Sequence, residues 1–344
     1  MQFRAILFRG TMKNKILAVV GATGRVGREM LSILRDEGVS AQNISAIASS
    51  RSAGGFINYD DSKLCVTDLE KMDFSGIDIA LFSAGGDVSR VYAPIAAAAG
   101  CTVIDNTSCF RMDPNVPLIV PEINFADIRK YENKSIISNP NCSTIQMVMV
   151  LKPLHDIFQL EEVVISTYQA TSGAGQKGVD ELMEQTRACI SGTEIKPHHF
   201  KRQIAFNLIP QIDVFTDSLY TKEELKMMNE TKKILSIDDI DITATCVRVP
   251  VIVGHAVSVF AKFHEKTDLE VARQAVGRFS GLALMDEPEE YVYSTPIDAA
   301  SKDAVFVSRM RKHPTIEEAL SFWCVSDNVR KGAALNAVQI AKML

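Results

Sequence analysis

Cys142 stands in Ser138-Asn139-Pro140-Asn141-Cys142-Ser143-Thr144, between a strand-like Ser135-Ile136-Ile137 and an apolar helical run from Ile145 to Leu151. That context puts the thiol near a helix N-terminus. Partial positive charge there favours the thiolate and lowers the pKa from its free value of about 8.5. Asn and Ser groups nearby can donate hydrogen bonds to an oxyanion. The chemistry on offer is nucleophilic catalysis. A buried structural cysteine is the bland alternative, and it is the better reading for Cys65, Cys101, Cys189, Cys246 and Cys324.

A second cluster is Gly21-Ala22-Thr23-Gly24-Arg25-Val26-Gly27, where the apolar run Lys15 to Val20 meets a helical pattern over 25–37. A backbone that must turn tightly, approach a pyrophosphate and pack a helix on a sheet needs small residues. The helix start then offers N–H groups to the anion. The Gly-x-x-Gly-x-x-Gly spacing is one residue longer than Gly-x-Gly-x-x-Gly, but the strand–loop–helix context reads as a dinucleotide site. The next strand, Ile44 to Ala48, runs into Ser49-Ser50-Arg51-Ser52. No acid is present there to hold a free ribose 2′-hydroxyl, whereas hydroxyls and a guanidinium suit a 2′-phosphate. This favours NADP over NAD. The alternative is a solvated turn.

These residues need elements to hold them. Strand and helix patterns alternate as far as Thr102–Asp105, which indicates a doubly wound parallel sheet. Beyond about residue 145, Val163–Thr167, Thr243–Val249 and Ala256–Phe263 are rich in β-branched residues and read as longer antiparallel strands. Helices are expected over 175–190, 221–235 and 268–280. Asn328–Leu344 is apolar at helical spacing and is expected to pack back on the first domain. The expected domains are 12–141 with 326–344, and 142–325. Residues 1–11 read as a flexible extension, with Met12 as an alternative start.

The 344 residues suit two domains. A net charge of −5 argues against nucleic-acid or anionic-membrane binding. No apolar run reaches the roughly 18 residues of a membrane-spanning helix. Seven irregularly spaced cysteines without Cys-x-x-Cys fit reduced thiols in the cytoplasm. His198-His199 lacks further ligands at suitable spacing, so no metal site is expected.

Four segments in order carry a resemblance. They are the glycine loop, Ser138–Thr144, Gln169-Ala170-Thr171-Ser172-Gly173-Ala174-Gly175 and Arg248-Val249-Pro250-Val251-Ile252-Val253-Gly254-His255. Together, from about Lys15 onward, the chain resembles the bacterial type of aspartate-β-semialdehyde dehydrogenase. The resemblance implies a Rossmann-like doubly wound dinucleotide-binding domain plus an α+β catalytic and dimerisation domain with a mostly antiparallel mixed sheet. It implies NADP-dependent interconversion of L-aspartyl-4-phosphate and L-aspartate 4-semialdehyde through a cysteine thioester. The route implied is lysine, threonine, methionine and diaminopimelate biosynthesis, by a cytoplasmic homodimer.

Residue by residue, the resemblance implies that Cys142 is the nucleophile and His255 the general acid–base. Gln169 would orient the substrate, and Arg248 would pair with its carboxylate. Arg111 and Asn141 would contact phosphate or substrate. Glu223 would meet the substrate amino group and Lys226 the phosphate. From spacing alone, Glu223 and Lys226 are an ordinary exposed ion pair three apart on a helix, and Glu224 competes as the matching acid. Ala84, Gly85, Ser172, Gly173 and Asn336 would line the cofactor. N-acetyl-γ-glutamyl-phosphate reductase, which typically has Gly before the cysteine, is the nearest rival. A non-catalytic NADP-binding paralogue is the alternative of another class.

Overall fold

The four residues Leu17–Val20 (β1) are wholly buried, as a strand covered on both faces must be. The structure, a computed structural model, describes residues 10–344. The chain divides into two units, one built up to Asn141 and resumed at Ala333, the other running from Cys142 to Gly332.

In the first unit β1 pairs in parallel with β2 (Ile44–Ala48) and β5 (Ile79–Phe82). With β3 (Phe56–Tyr59), β4 (Ser62–Asp68), β6 (Thr102–Asp105) and β7 (Ile136–Ser138), the sheet order is β3-β4-β2-β1-β5-β6-β7. Only the β3–β4 contact is antiparallel. The strand order reverses at β1, so the carboxyl ends of β1, β2 and β5 frame the crevice where such sheets bind ligands. Helices α1 (Arg25–Asp36), α2 (Gly86–Ala98) and the single turn α3 (Pro121–Asn124) belong to this unit. Cys65, expected in a core, is exposed. It lies in β4 between the inward-facing Leu64 and Val66, and the two-residue strand period turns it outward.

The second unit opens with α4 (Cys142–Phe158), buried almost throughout. It continues through β8 (Leu160–Gln169), α5 (Gly175–Ser191), α6 (Lys222–Leu235), β9 (Asp241–Arg248), β10 (His255–Phe263), α7 (Leu269–Arg278) and β11 (Leu282–Leu284). A small ribbon, β12 (Asp286–Glu287) with β13 (Val292–Tyr293), and the single turn α8 (Pro296–Ala299) precede β14 (Val305–Lys312) and β15 (Ala319–Ser326). The six-stranded sheet runs β11-β14-β15-β10-β8-β9. Its β10–β8, β10–β15 and β14–β15 contacts are antiparallel. β8 and β9, both expected to be antiparallel strands, pair in parallel. The chain between them passes through α5 and α6, and a crossover of that length is what parallel pairing requires.

After β15 the chain stays with the second unit to Gly332 and rejoins the first at Ala333, seven residues later than the expected return at 326. Asp327 accepts the Ser301 N–H at 2.8 Å, and Asn328 exchanges hydrogen bonds with Ser172 at 2.9 and 3.1 Å. The last helix, α9 (Leu335–Ala341), rejoins the first unit. Its Ala337, Val338 and Ile340 share one core with Met30, Leu31 and Leu34 of α1 and with Met12. Residues 1–9 of the expected N-terminal extension lie outside the described residues.

Candidate active site

Gln169, Arg248 and His255 close or open three neighbouring strands. Parallel register sets Gln169 opposite Arg248 at the carboxyl ends of β8 and β9. His255 opens the antiparallel strand β10, next to the Ala256–Tyr168 pair. All three therefore gather at one edge of the sheet, and all are buried. The Arg248 guanidinium donates through Nη1 to the Ala170 carbonyl at 2.7 Å. Burial pulls its pKa below the ordinary value, while charge on Glu223 and Cys142 works the other way. Cys142 is the first residue of α4 and partly exposed.

Gln169 donates to Glu223 Oε1 at 3.1 Å and accepts from Thr167 Oγ1 at 3.0 Å. Glu223 Oε2 accepts from Lys226 Nζ at 3.1 Å. Both carboxylates of the Glu223-Glu224 pair are buried, with different tasks. Glu224 closes a capping box with Thr221 and also accepts the Cys246 N–H at 3.0 Å. Glu223 is therefore the acid that faces the Gln169–Lys226 cluster. The Thr-x-x-Glu spacing is a sequence signal that assigns Glu224 to the cap.

His255 Nδ1 accepts the Ala170 N–H at 3.0 Å, which leaves the ring proton of the neutral form on Nε2. Burial first, and the Arg248 charge second, push its pKa down to about 3, with Glu223 opposing. Nε2 has no hydrogen-bond partner among the described residues. A buried donor left unpaired in this way is open to an incoming acceptor. A histidine held neutral in the fold and free to charge in the unfolded chain gives stability present above pH 6.5 and lost as pH falls toward 3. His255→Asn should flatten the fall in stability across that window by up to about 1.4 kcal/mol per pH unit. Urea unfolding midpoints at pH 4, 5 and 7 check this. Parallel curves for the two proteins would remove the claim.

Gly173 is pressed against the same groups. A Cβ at this position would lie 2.8 Å from Arg248 Nη1 and 2.9 Å from His255 Nε2.

In the first unit, Gly21 has φ +91°, and a Cβ there would stand 2.4 Å from the Ser83 carbonyl oxygen. A Cβ on Gly27 would stand 2.2 Å from the Gly21 oxygen, so both positions require glycine. Gly21 and Ala22 donate to the Ile47 carbonyl at 2.9 and 3.0 Å, holding the loop beside the end of β2. Gly24 caps α1 without a side-chain acceptor, which suits a helix end that meets phosphate. Thr23, Arg25 and Val26 complete this loop and the first turn. Ser49, Ser50 and Arg51 are exposed directly after β2, in a turn closed by Ser52 N–H to Ser49 O at 2.9 Å. Ala84 and Gly85 follow β5, with Gly85 as the N-cap of α2.

Arg111 is buried beside the cysteine segment. It donates to the Asn139 carbonyl at 2.9 Å and the Asn106 carbonyl at 3.0 Å. Asn141, also buried, immediately precedes Cys142. Asn336 is fully buried, and its amide donates to Asn139 Oδ1 at 2.7 Å and to Ile119 O at 3.0 Å, which ties α9 to the segment ahead of Cys142. Asp105, Asn139 and Asn328 were not anticipated. Asp105 is buried at the end of β6, and its carboxyl takes Ser89 Oγ and both Thr107 donors, organising the loop to Arg111.

Residues 16–131 match the NAD binding domain of semialdehyde dehydrogenases, and residues 151–331 match their dimerisation domain. An aspartate-semialdehyde dehydrogenase of Aquifex aeolicus is 48% identical over 95% of this chain and 97% of its own length. One from Bacillus subtilis is 46% identical over 95% and 96%. The chain belongs to the aspartate-semialdehyde dehydrogenase family. A crystal structure of aspartate semialdehyde dehydrogenase II from Vibrio cholerae, complexed with ASA, has a TM-score of 0.92 at 45% identity and covers 95% of this chain and 97% of its own. The two-domain α/β architecture expected from the sequence is that of the family, and the family is one of pyridine-nucleotide oxidoreductases. No helix among the described residues is long and apolar enough to cross a membrane.

Proposed function

We propose that this protein interconverts L-aspartate 4-semialdehyde and L-aspartyl-4-phosphate, with NADP as hydride carrier and Cys142 as nucleophile. The observation that carries the reading is the buried cluster of Gln169, Glu223, Arg248 and His255 at one sheet edge, together with the cysteine that opens α4. One fixed cation and one fixed anion side by side suit an α-amino acid. Arg248 takes the carboxylate and Glu223 the ammonium, and a planar fork serves the first better than a lysine would.

In the oxidative direction the Cys142 thiolate adds to the aldehyde carbon and forms a thiohemiacetal. His255 offers its Nε2–H to the oxygen that gains charge. Nδ1 is occupied by the Ala170 N–H, so in this arrangement the ring serves the oxygen as a hydrogen-bond donor. A nicotinamide held by the glycine loop would supply the hydride acceptor that oxidation of the thiohemiacetal to a thioester requires. A phosphate oxygen then attacks the thioester carbon and expels the thiolate, giving the acyl phosphate. Lys226 serves the phosphate, and Gln169 orients the reacting carbon.

The cradle at Gly21 and Gly27, which a Cβ would fill, fits a dinucleotide pyrophosphate at the start of α1. Thr23, Gly24, Arg25 and Val26 would border it, with Ala84 and Gly85 beside it. Ser49, Ser50, Arg51 and Ser52 would hold the 2′-phosphate. The family's second domain is described as a dimerisation domain. The sheet face carrying Val164, Tyr168, Phe260 and Trp323 is only partly covered in one chain and is the face we assign to a homodimer. A role in cytoplasmic amino-acid biosynthesis follows from this reaction in the family.

The test is nicotinamide absorbance with L-aspartate semialdehyde, phosphate and either NADP⁺ or NAD⁺. Phosphate-dependent reduction of NADP⁺ is expected, and inactivity of folded protein with both nucleotides would overturn the reading. Arg51→Ala should raise the KM for NADP⁺ about tenfold, equivalent to roughly 1.4 kcal/mol, and leave that for NAD⁺ unchanged. An equal effect on both would remove the 2′-phosphate assignment.

A further inference from the structure

Residues 209–221 form a loop fixed at both ends to the site. Ile209 and Arg248 exchange backbone hydrogen bonds at 3.0 and 2.8 Å. At the other end Phe215 bridges Thr221, the N-cap of α6, and the Lys222 N–H reaches the Val214 carbonyl at 2.9 Å. One anchor is therefore a site residue, and the other is the helix turn that carries Glu223 and Lys226.

Between these anchors Asp213 adopts a left-handed backbone, φ +66°, a conformation Asp tolerates better than most residues. Its Oδ1 accepts the Val214 N–H at 2.9 Å, and its Oδ2 accepts from Lys226 Nζ at 2.9 Å. Glu223 Oε2 accepts from the same ammonium at 3.1 Å. Burial alone would lower the Lys226 pKa, but Glu223 and Asp213 together lift it above the ordinary value. An ammonium has three N–H donors. With two committed to carboxylates, the direction of the third is set.

Glu223 has other partners besides the lysine. Its Oε1 already accepts from Gln169, and on the reading above the carboxylate must also meet the substrate ammonium. The Asp213–Lys226 pair is partly exposed, so it adds little to stability. Its effect is to fix the end of a flexible four-carbon side chain.

We infer that Asp213 is a positioning residue for the phosphate step, clamping Lys226 with Glu223 so that its third N–H meets a phosphate oxygen. The inference rests on Lys226 holding phosphate. Asp213→Asn keeps the shape and the tolerance for a left-handed backbone but removes the charge. Asp213→Gly removes the side chain and suits the same φ. The KM for phosphate should rise about tenfold in the first and further in the second. The KM for aspartate semialdehyde should stay within twofold of wild type, as should the single-turnover release of NADPH without phosphate, which reads thioester formation alone.

An unchanged phosphate KM in both variants would overturn the inference. So would an equal rise in both KM values, which would mean a displaced loop. A lowered phosphate KM would also overturn it, because Asp213 would then be competing with phosphate. Lys226→Ala is the control. If it raises the phosphate KM while the Asp213 variants do not, the clamp fails alone. If it too leaves the phosphate KM unchanged, the assignment of Lys226 fails and the inference with it.

Discussion

Cys142→Ala is expected to lower kcat roughly 10⁴-fold or more, because without the sulfur no thioester can form. The effect should be catalytic, not structural. Alanine keeps the Cβ, is the best helix former, and loses a thiol that is partly exposed. The thermal midpoint should therefore stay near wild type. Mass spectrometry after mixing with semialdehyde and NADP⁺, in the absence of phosphate, should show an acyl adduct on wild type and none on the variant. Activity above about one percent of wild type in the variant would mean that the reaction runs without the thioester.

Gly173→Ala should lower kcat/KM about 100-fold through a single added methyl. The new carbon would overlap Arg248 Nη1 and His255 Nε2 at 2.8 and 2.9 Å, so one or both must move. A displacement near 1 Å at groups that orient a substrate is worth about that factor. Gly173 lies outside the left-handed backbone region, so the loss would come from crowding and not from backbone strain. Binding of NADP⁺, followed by nicotinamide fluorescence or calorimetry, separates a site effect from a lost cofactor. A variant within fivefold of wild type would show that Arg248 and His255 have room to yield.

The two chemical centres were legible because each is local. The Gly21–Gly27 loop and the segment ending at Cys142 join a strand to a helix within a few residues, so spacing alone places them. Glu223 was harder, since one residue along a helix rotates a side chain by about 100°. Only the capping box at Thr221 and Glu224 separates the two acids. Longer contacts leave no local mark. His255 meets the Ala170 N–H across 85 residues because β10 lies beside β8, and sheet order is a property of the whole chain. Asp213 has an ordinary loop context and acquires its role from two backbone anchors. β14 and β15 also escaped notice. β14 turns Arg309, Arg311 and Lys312 to solvent and carries an irregular register between Ser308 and Arg311, which blurs its alternation.

The return of α9 to the first unit has a bearing on how the protein is made. Met30, Leu31 and Leu34 leave the ribosome early, yet the Ala337, Val338 and Ile340 that complete their core emerge only after all of Cys142–Gly332. At about 5–20 residues per second, those 191 intervening residues take roughly 10–40 s to synthesise. Through that interval the nascent nucleotide unit carries an unfinished apolar groove, whereas the catalytic unit can close on itself as soon as its strands are out. The part begun first is therefore finished last. Asn336 arrives with the closing helix and docks on Asn139, so bracing of the segment that leads to Cys142 is among the final events of folding.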